Sequence, residues 1–182
     1  RDHAPNLQAP MFAGWNFRIN EILSAILRVQ LTRLDGMLDA MLAEKRTLIN
    51  ALDGTGPFTF NPIHDVEGDC GTTLGLLFED EPTMRAFLAG CKEEGVNAST
   101  PIDSGRHVYT NWEPVLNKQG SHNPAFNAYN LAEQEVAYSK DMCPTTLDVL
   151  SRTAFLYTDP ERENAELEAM IEKVKRVSEK AG

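Results

Sequence analysis

The sequence predicts a small α/β fold in which a modest sheet is covered by helices and a long apolar helix feeds into it. Three observations carry that expectation. Apolar residues recur at helical spacing from Ile19 to Leu52. Short strand-like runs alternate with helical stretches between residues 57 and 157, and the chain closes on a helix with a clear apolar stripe.

The first helical run carries Ile19, Leu23 and Ile26, then Leu34, Met37, Met41, Leu48 and Leu52. From Ile19 to Leu31 it is apolar nearly all the way round, so it must be buried on several sides, either in a core or against another subunit. Gly36 is expected to bend or interrupt the run, and Asp53-Gly54 to close it, giving one long connecting helix or two in sequence. Pro57-Phe58-Thr59-Phe60 and the run from Thr72 to Phe78 read as strands around the turn-rich stretch from Asn61 to Gly71. Glu79-Asp80-Glu81-Pro82 opens a helix with acids at its positive end and proline in its first turn. That helix faces inward with Met84, Phe87, Leu88 and Cys91 and ends at Gly95.

Strand-like pieces follow near Val96 to Thr100 and at His107-Val108-Tyr109, and Thr110 to Asn130 reads as loop with a short helix. Thr146 to Ser151 is expected to be a short helix and Thr153 to Tyr157 a short buried strand. For the last helix the expectation is Asp159 as cap, Pro160 in the first turn, and Leu167, Met170, Ile171, Val174 and Val177 as its stripe. Its acids cluster early and its bases late, which complements the helix dipole.

Composition narrows the function classes. With 182 residues, 42% hydrophobic and 24% charged, the chain can bury one sizeable core. A formal net charge of −10 repels phosphate backbones and anionic lipid, which argues against nucleic-acid and membrane partners. No apolar run reaches the length of a membrane span, and no segment resembles a signal peptide. Cys70, Cys91 and Cys143 are odd in number and widely spaced, which indicates neither a disulfide framework nor a zinc site and fits a reduced cytoplasmic setting. His64 with Asp65, Glu67 and Asp69 has the composition of a metal site but no established ligand spacing, and reads better as a solvated loop. The chain opens at Arg1-Asp2-His3 without methionine and runs through Pro5, Asn6 and Pro10, which reads as a cut through a longer protein.

One segment points to specific chemistry. Gly14-Trp15-Asn16-Phe17-Arg18-Ile19-Asn20-Glu21, followed by Ile22-Leu23-Ser24-Ala25 and later Gln30-Leu31 and Leu34, resembles the G-x-N-x-R-x-x-E motif and succeeding helix of the DegT–StrS sugar aminotransferases. Cys143-Pro144 with a short helix, then a strand before Asp159-Pro160, is similar to the end of that family's small domain. The resemblance covers essentially the whole chain, although only the first motif is specific.

The resemblance implies the small domain of a fold-type I pyridoxal-phosphate-dependent transferase, with residues 1–18 as a loop from the large domain, 19–54 as the connecting and interface helix, and 55–182 as the small α/β domain. It implies pyridoxal 5'-phosphate as cofactor and glutamate and a keto-sugar as substrates. It also implies self-association through the helix from Ile19 to Leu31, and a catalytic lysine upstream of residue 1. In the family the motif asparagine reaches the partner subunit's cofactor phosphate, a role carried here onto Asn16; an amide donates to the phosphate without adding charge. By sequence alone Asn16 reads as a turn residue or an N-cap ahead of a helix, and it is the motif that favours the functional role. Arg18 reads as a cofactor-site residue that holds the turn by forked hydrogen bonds.

Arg106 to Trp112 lies where relatives carry an aromatic, histidine-bearing stretch near the substrate entrance, which makes His107, Tyr109 and Trp112 the substrate candidates. His107 alternatively belongs to one side of a strand, and the two aromatics are often core or rim residues. The usual proline-rich continuation is replaced by Glu113-Pro114-Val115-Leu116, which leaves the substrate class open. Trp112-Glu113-Pro114 is similar to aminotransferases acting on eight-carbon keto-sugar acids. Two other readings stand beside transamination: a dehydratase relative with histidine in place of the lysine, and a non-catalytic dimerisation module.

Overall fold

The computed structural model describes residues 19–105 and 107–181, which form two compact units. Of the described residues, the larger comprises 19–104 and 145–181 and the smaller 105 and 107–144.

The larger unit begins with α1 (Glu21–Leu31) and α2 (Leu34–Leu52). Asn20 caps α1, its side-chain oxygen accepting from the Leu23 amide at 2.9 Å. The break between the helices falls at Thr32 and Arg33, whose amides turn back to Val29 and Gln30, while the Thr32 hydroxyl donates to the Val29 carbonyl at 2.7 Å. Gly36, expected to cause the interruption, lies inside α2 with open space around its Cα. Gly54 at φ 67 follows α2, as expected of a residue that ends a helix.

Four strands follow: β1 (Phe58–Phe60), β2 (Thr73–Phe78), β3 (Ala98–Ser99) and β4 (Thr153–Tyr157). They form one antiparallel sheet in the order β1-β2-β4-β3, with Phe58 opposite Phe78, Leu74 opposite Leu156, and Ala98 also opposite Leu156. Alternation puts Leu74, Leu76, Phe78, Ala154 and Leu156 on one face. Three helices cover that face: α2 with Leu48 and Leu52, α3 (Glu81–Glu93) with Met84, Phe87 and Cys91, and α6 (Asn164–Ala181) with Ile171, Val174 and Val177. Asp80 caps α3 through the Thr83 amide at 2.8 Å, and proline occupies its first turn. Where α3 crosses α6, a Cβ on Gly90 would lie 2.8 Å from Val177 Cγ1, so hydrogen at this position permits the approach. The core is a helix layer on one face of a sheet.

Two ionic contacts fasten α2 to the sheet. Glu44 and Lys45 are adjacent in α2 and both buried. Lys45 donates to the Asp69 carboxylate at 2.5 Å, while Asp69 also accepts from the Gly71 amide at 2.8 Å, which fixes the segment entering β2. Glu44 pairs with Arg162 and accepts from the Asp159 amide at 3.3 Å, which fixes the segment leaving β4. Thr158 joins the two segments by donating its hydroxyl to the Gly71 carbonyl at 2.7 Å. The chain approaches α2 so closely at Gly71, at φ 67, that a Cβ there would lie 2.5 Å from the Leu42 nitrogen and 2.6 Å from its Cα.

This fastening corrects the expected start of the last helix. Asp159 and Pro160 form a turn, with the Asp159 carboxylate accepting from the Glu161 amide at 2.9 Å, and α6 begins at Asn164. Arg162, drawn to Glu44 and to the Tyr157 carbonyl, holds the intervening residues out of the helix. The predicted apolar stripe nevertheless faces the core, with Leu167 and Met170 at its edge.

The smaller unit is loop-rich. The expected strand at His107-Val108-Tyr109 is absent: the chain makes a 3-10 turn at Tyr109–Asn111, whose amides bond back locally, and then α4 (Glu113–Leu116). Its two further 3-10 turns, Pro124–Phe126 and Ala128–Asn130, open on Asn123 and Asn127, whose side chains accept from amides two residues on. The short helix α5 (Pro144–Ser151) then leads into β4.

Two stability predictions follow. Gly71→Ala, facing main chain at a left-handed φ, lowers stability by at least about 2 kcal/mol in urea unfolding, whereas Gly36→Ala raises it by up to about 1 kcal/mol. Arg162→Met leaves Glu44 buried without its cation, at a cost of about 3 kcal/mol at neutral pH. Burial already pushes the Glu44 carboxyl above its ordinary value, against the opposing pull of the Asp159 amide and Arg162. The folded state therefore holds that proton more tightly than the unfolded chain, so this group's contribution falls as pH rises through the folded pKa. The Arg162→Met deficit consequently narrows as pH is lowered and Glu44 protonates.

Candidate functional site

Asn16 and Arg18, the cofactor-contact residues expected from the motif, lie outside the described residues. The description resumes just beyond them, at α1. No residue of this 11-residue helix is buried: Ile22 is 75% exposed, Leu31 65% and Val29 61%. Of the two covers expected for this helix, a core within the described chain is therefore excluded. Its N-terminus, capped by Asn20, falls within the Gly14 to Glu21 motif.

The three substrate candidates belong to the smaller unit and sit in different surroundings. His107 lies exposed in a turn, and Trp112 is 45% exposed at the junction between the 3-10 turn and α4. Tyr109 is half-buried, and its hydroxyl is engaged: it donates to the Lys140 carbonyl at 2.7 Å and accepts from the Cys143 amide at 3.2 Å. What Tyr109 has left for a ligand is its ring. Through that hydroxyl, it ties the start of the unit to its end.

The other chemistry-bearing residues have structural roles. Asp65 accepts from the Glu67 and Gly68 amides and so shapes its own turn, and among the described residues no three His, Cys, Asp or Glu side chains converge as metal ligands. Burial pushes the Cys91 thiol up to about 12, which keeps it an inert core residue. Cys70 and Cys143 are exposed and unbridged. Arg85 forks onto Asp103 and Glu81, and both contacts raise its pKa, Asp103 more than Glu81. Among the described residues no helix is long and apolar enough to cross a membrane.

Sequence reasoning missed the burial of Glu44 and Lys45. One signal was present: Glu44, Leu48 and Leu52 are four residues apart, which places the acid on the core-facing side of α2. It also missed that Glu113, Tyr138 and Lys140 are brought together around one cavity. Nothing local marks that grouping.

Tyr109→Phe keeps the ring but removes both hydroxyl bonds. It is expected to leave global unfolding nearly unchanged while accelerating limited proteolysis between residues 110 and 142 several-fold. Peptide mapping by mass spectrometry checks this, and unchanged cleavage would show that the hydroxyl does not hold the unit closed.

The comparison with known proteins agrees with this architecture. The family model described as DegT/DnrJ/EryC1/StrS aminotransferase matches residues 2–175. The small antiparallel sheet with helices on one face is the small-domain architecture that the motif resemblance implies. A match across nearly all of the chain, including the Gly14 to Glu21 motif, establishes that this chain belongs to the DegT/DnrJ/EryC1/StrS family of pyridoxal-phosphate-dependent aminotransferases.

Proposed function

We propose that this chain serves an aminotransferase that passes an amino group from glutamate to the carbonyl of a keto-sugar, in a cytoplasmic setting. The observation that carries the reading is the family match over residues 2–175, with Gly14, Asn16, Arg18 and Glu21 in motif register. Pyridoxal phosphate, when bound, supplies the electron sink that such a transfer needs. The residues of this chain supply binding and placement. Asn16 donates its amide to the phosphate, Arg18 holds the turn that presents Asn16, and the positive end of α1 adds favourable potential. His107 and Trp112 contribute to the substrate entrance, together with the ring of Tyr109.

In this division of labour residues 1–18 carry the cofactor contact, 19–54 the connecting and interface helices, and 55–182 the small domain. The exposed residues Ile22, Leu23, Ile26, Leu27, Val29 and Leu31 form an apolar surface that a second copy of the chain would cover, so that each copy's Asn16 could serve its neighbour's cofactor. The lysines of this chain suit other roles than catalysis. Lys45, the first in sequence, is buried and paired with Asp69, and the remaining six lie further downstream of Asn16. Residues 1–182 alone are therefore proposed not to transaminate.

Absorbance spectroscopy tests both parts. The purified chain mixed with pyridoxal phosphate and glutamate should show no glutamate-dependent spectral change, and such a change would refute its proposed inactivity. In the lysine-bearing enzyme Asn16→Ala should weaken cofactor affinity by roughly tenfold or more, the value of one hydrogen bond to a charged group. Unaltered affinity would remove Asn16 from the cofactor site.

A further inference from the structure

The joint between α1 and α2 has few ties of its own. At Thr32 and Arg33 the amides turn back three residues, to Val29 at 3.2 Å and Gln30 at 3.0 Å, in place of the four-residue step of an α-helix. The second helix then starts at Leu34 without a side-chain cap. Residues 31–36 are all exposed, so packing does little to hold the joint. Gly36 sits in the first turn of α2 with nothing within 4 Å of where a Cβ would lie, which adds backbone freedom there.

We propose that residues 32–36 form a hinge on which α1 swings relative to the sheet, and that Arg33 is the strap that selects one angle. The two sides of the joint are held very differently. On one side, Glu44 and Lys45 clamp α2 to the segments leaving β4 and entering β2. On the other, α1 has no buried residue. The Arg33 guanidinium spans the two. It donates to the Gln30 side-chain oxygen at 3.3 Å, in the last turn of α1, and to the Glu161 carboxylate at 3.5 Å. Glu161 lies in the turn that Asp159 and Arg162 anchor to Glu44, so the strap ends on a fixed point.

The strength of the strap suits this role. The Arg33 side chain is 54% exposed and that of Glu161 81%, so water and salt compete with the pair. A buried pair would lock the angle and no pair would leave it undefined; an exposed pair biases it and yields to modest forces. Whatever covers the apolar residues of α1 holds that helix, and bending at the joint then moves the clamped sheet and its helices against it. In the aminotransferase reading, on which this role rests, that motion opens and closes the small domain over the substrate. The hinge itself stands without it.

Double electron–electron resonance of the full chain reads the angle. Spin labels go on Arg28→Cys in α1 and Glu168→Cys in α6, both exposed positions, with Cys70→Ser and Cys143→Ser removing the exposed native thiols. Dilution with unlabelled chain removes distances between copies. At low salt one distance should dominate. Arg33→Ala, or about 1 M NaCl, should lower its population roughly threefold relative to the others. Reversing the pair, Arg33→Glu with Glu161→Arg, should restore it, and Gly36→Ala added to Arg33→Ala should narrow the distribution. Positions 33, 36 and 161 are exposed, so these variants leave the core intact. A distribution unchanged by Arg33→Ala, a reversed pair that fails to restore the dominant distance, or no narrowing by Gly36→Ala would overturn the proposal. The glutamate-dependent absorbance of the lysine-bearing enzyme tests the other level. A salt-sensitive hinge without that absorbance keeps the device and loses its aminotransferase role, and the reverse result keeps the assignment and loses the hinge.

Discussion

Two opposite charges, adjacent in one helix and both withdrawn from water, organise the larger unit. Glu44 and Lys45 lie at 6% and 8% exposure, and each is satisfied by one of two neighbouring segments at the same end of the sheet, Lys45 by the one entering β2 and Glu44 by the one leaving β4. An ion pair so placed gains little over an apolar alternative, because desolvation offsets the attraction. Its value lies in what it excludes. Any other seating of α2 on the sheet would strand a buried carboxylate or ammonium, so the helix has one register. The close passage of main chain at Gly71 is possible because that register is fixed, and the Thr158 hydroxyl then closes the gap between the two anchored segments.

The consequence reaches beyond the core. Because α2 is fixed, the break at Thr32 and Arg33 determines where α1 leaves the sheet, and α1 carries apolar residues that this chain leaves exposed. Arg33 adds a weaker surface contact to Glu161, in the same turn that Glu44 holds through Asp159 and Arg162. The sequence immediately ahead of α1 is the family motif.

The two units solve the ordering problem differently. In the larger, fourteen buried apolar residues form one cluster and regular elements follow from it. In the smaller, asparagine-led turns and a tyrosine hydroxyl hold a chain with few regular hydrogen bonds.

By itself the sequence determined the elements whose signals are local. The cap and proline of α3, the strands at 58–60, 73–78 and 153–157, the stripe of α6 and the motif from Gly14 to Glu21 all lie within a few residues of what they specify. Periodicity and capping are interactions between near neighbours, so they are visible in one dimension. The tertiary structure decided the rest. Asp159 and Pro160 look like a helix start, and only Glu44, 115 residues earlier, turns them into an anchored turn. His107 to Tyr109 alternates like a strand, yet the chain bonds locally there and Tyr109 spends its hydroxyl 31 residues away. The cavity beside α4 likewise joins residues more than twenty positions apart. Contacts of that separation depend on where the whole chain is placed, which no short window of sequence contains.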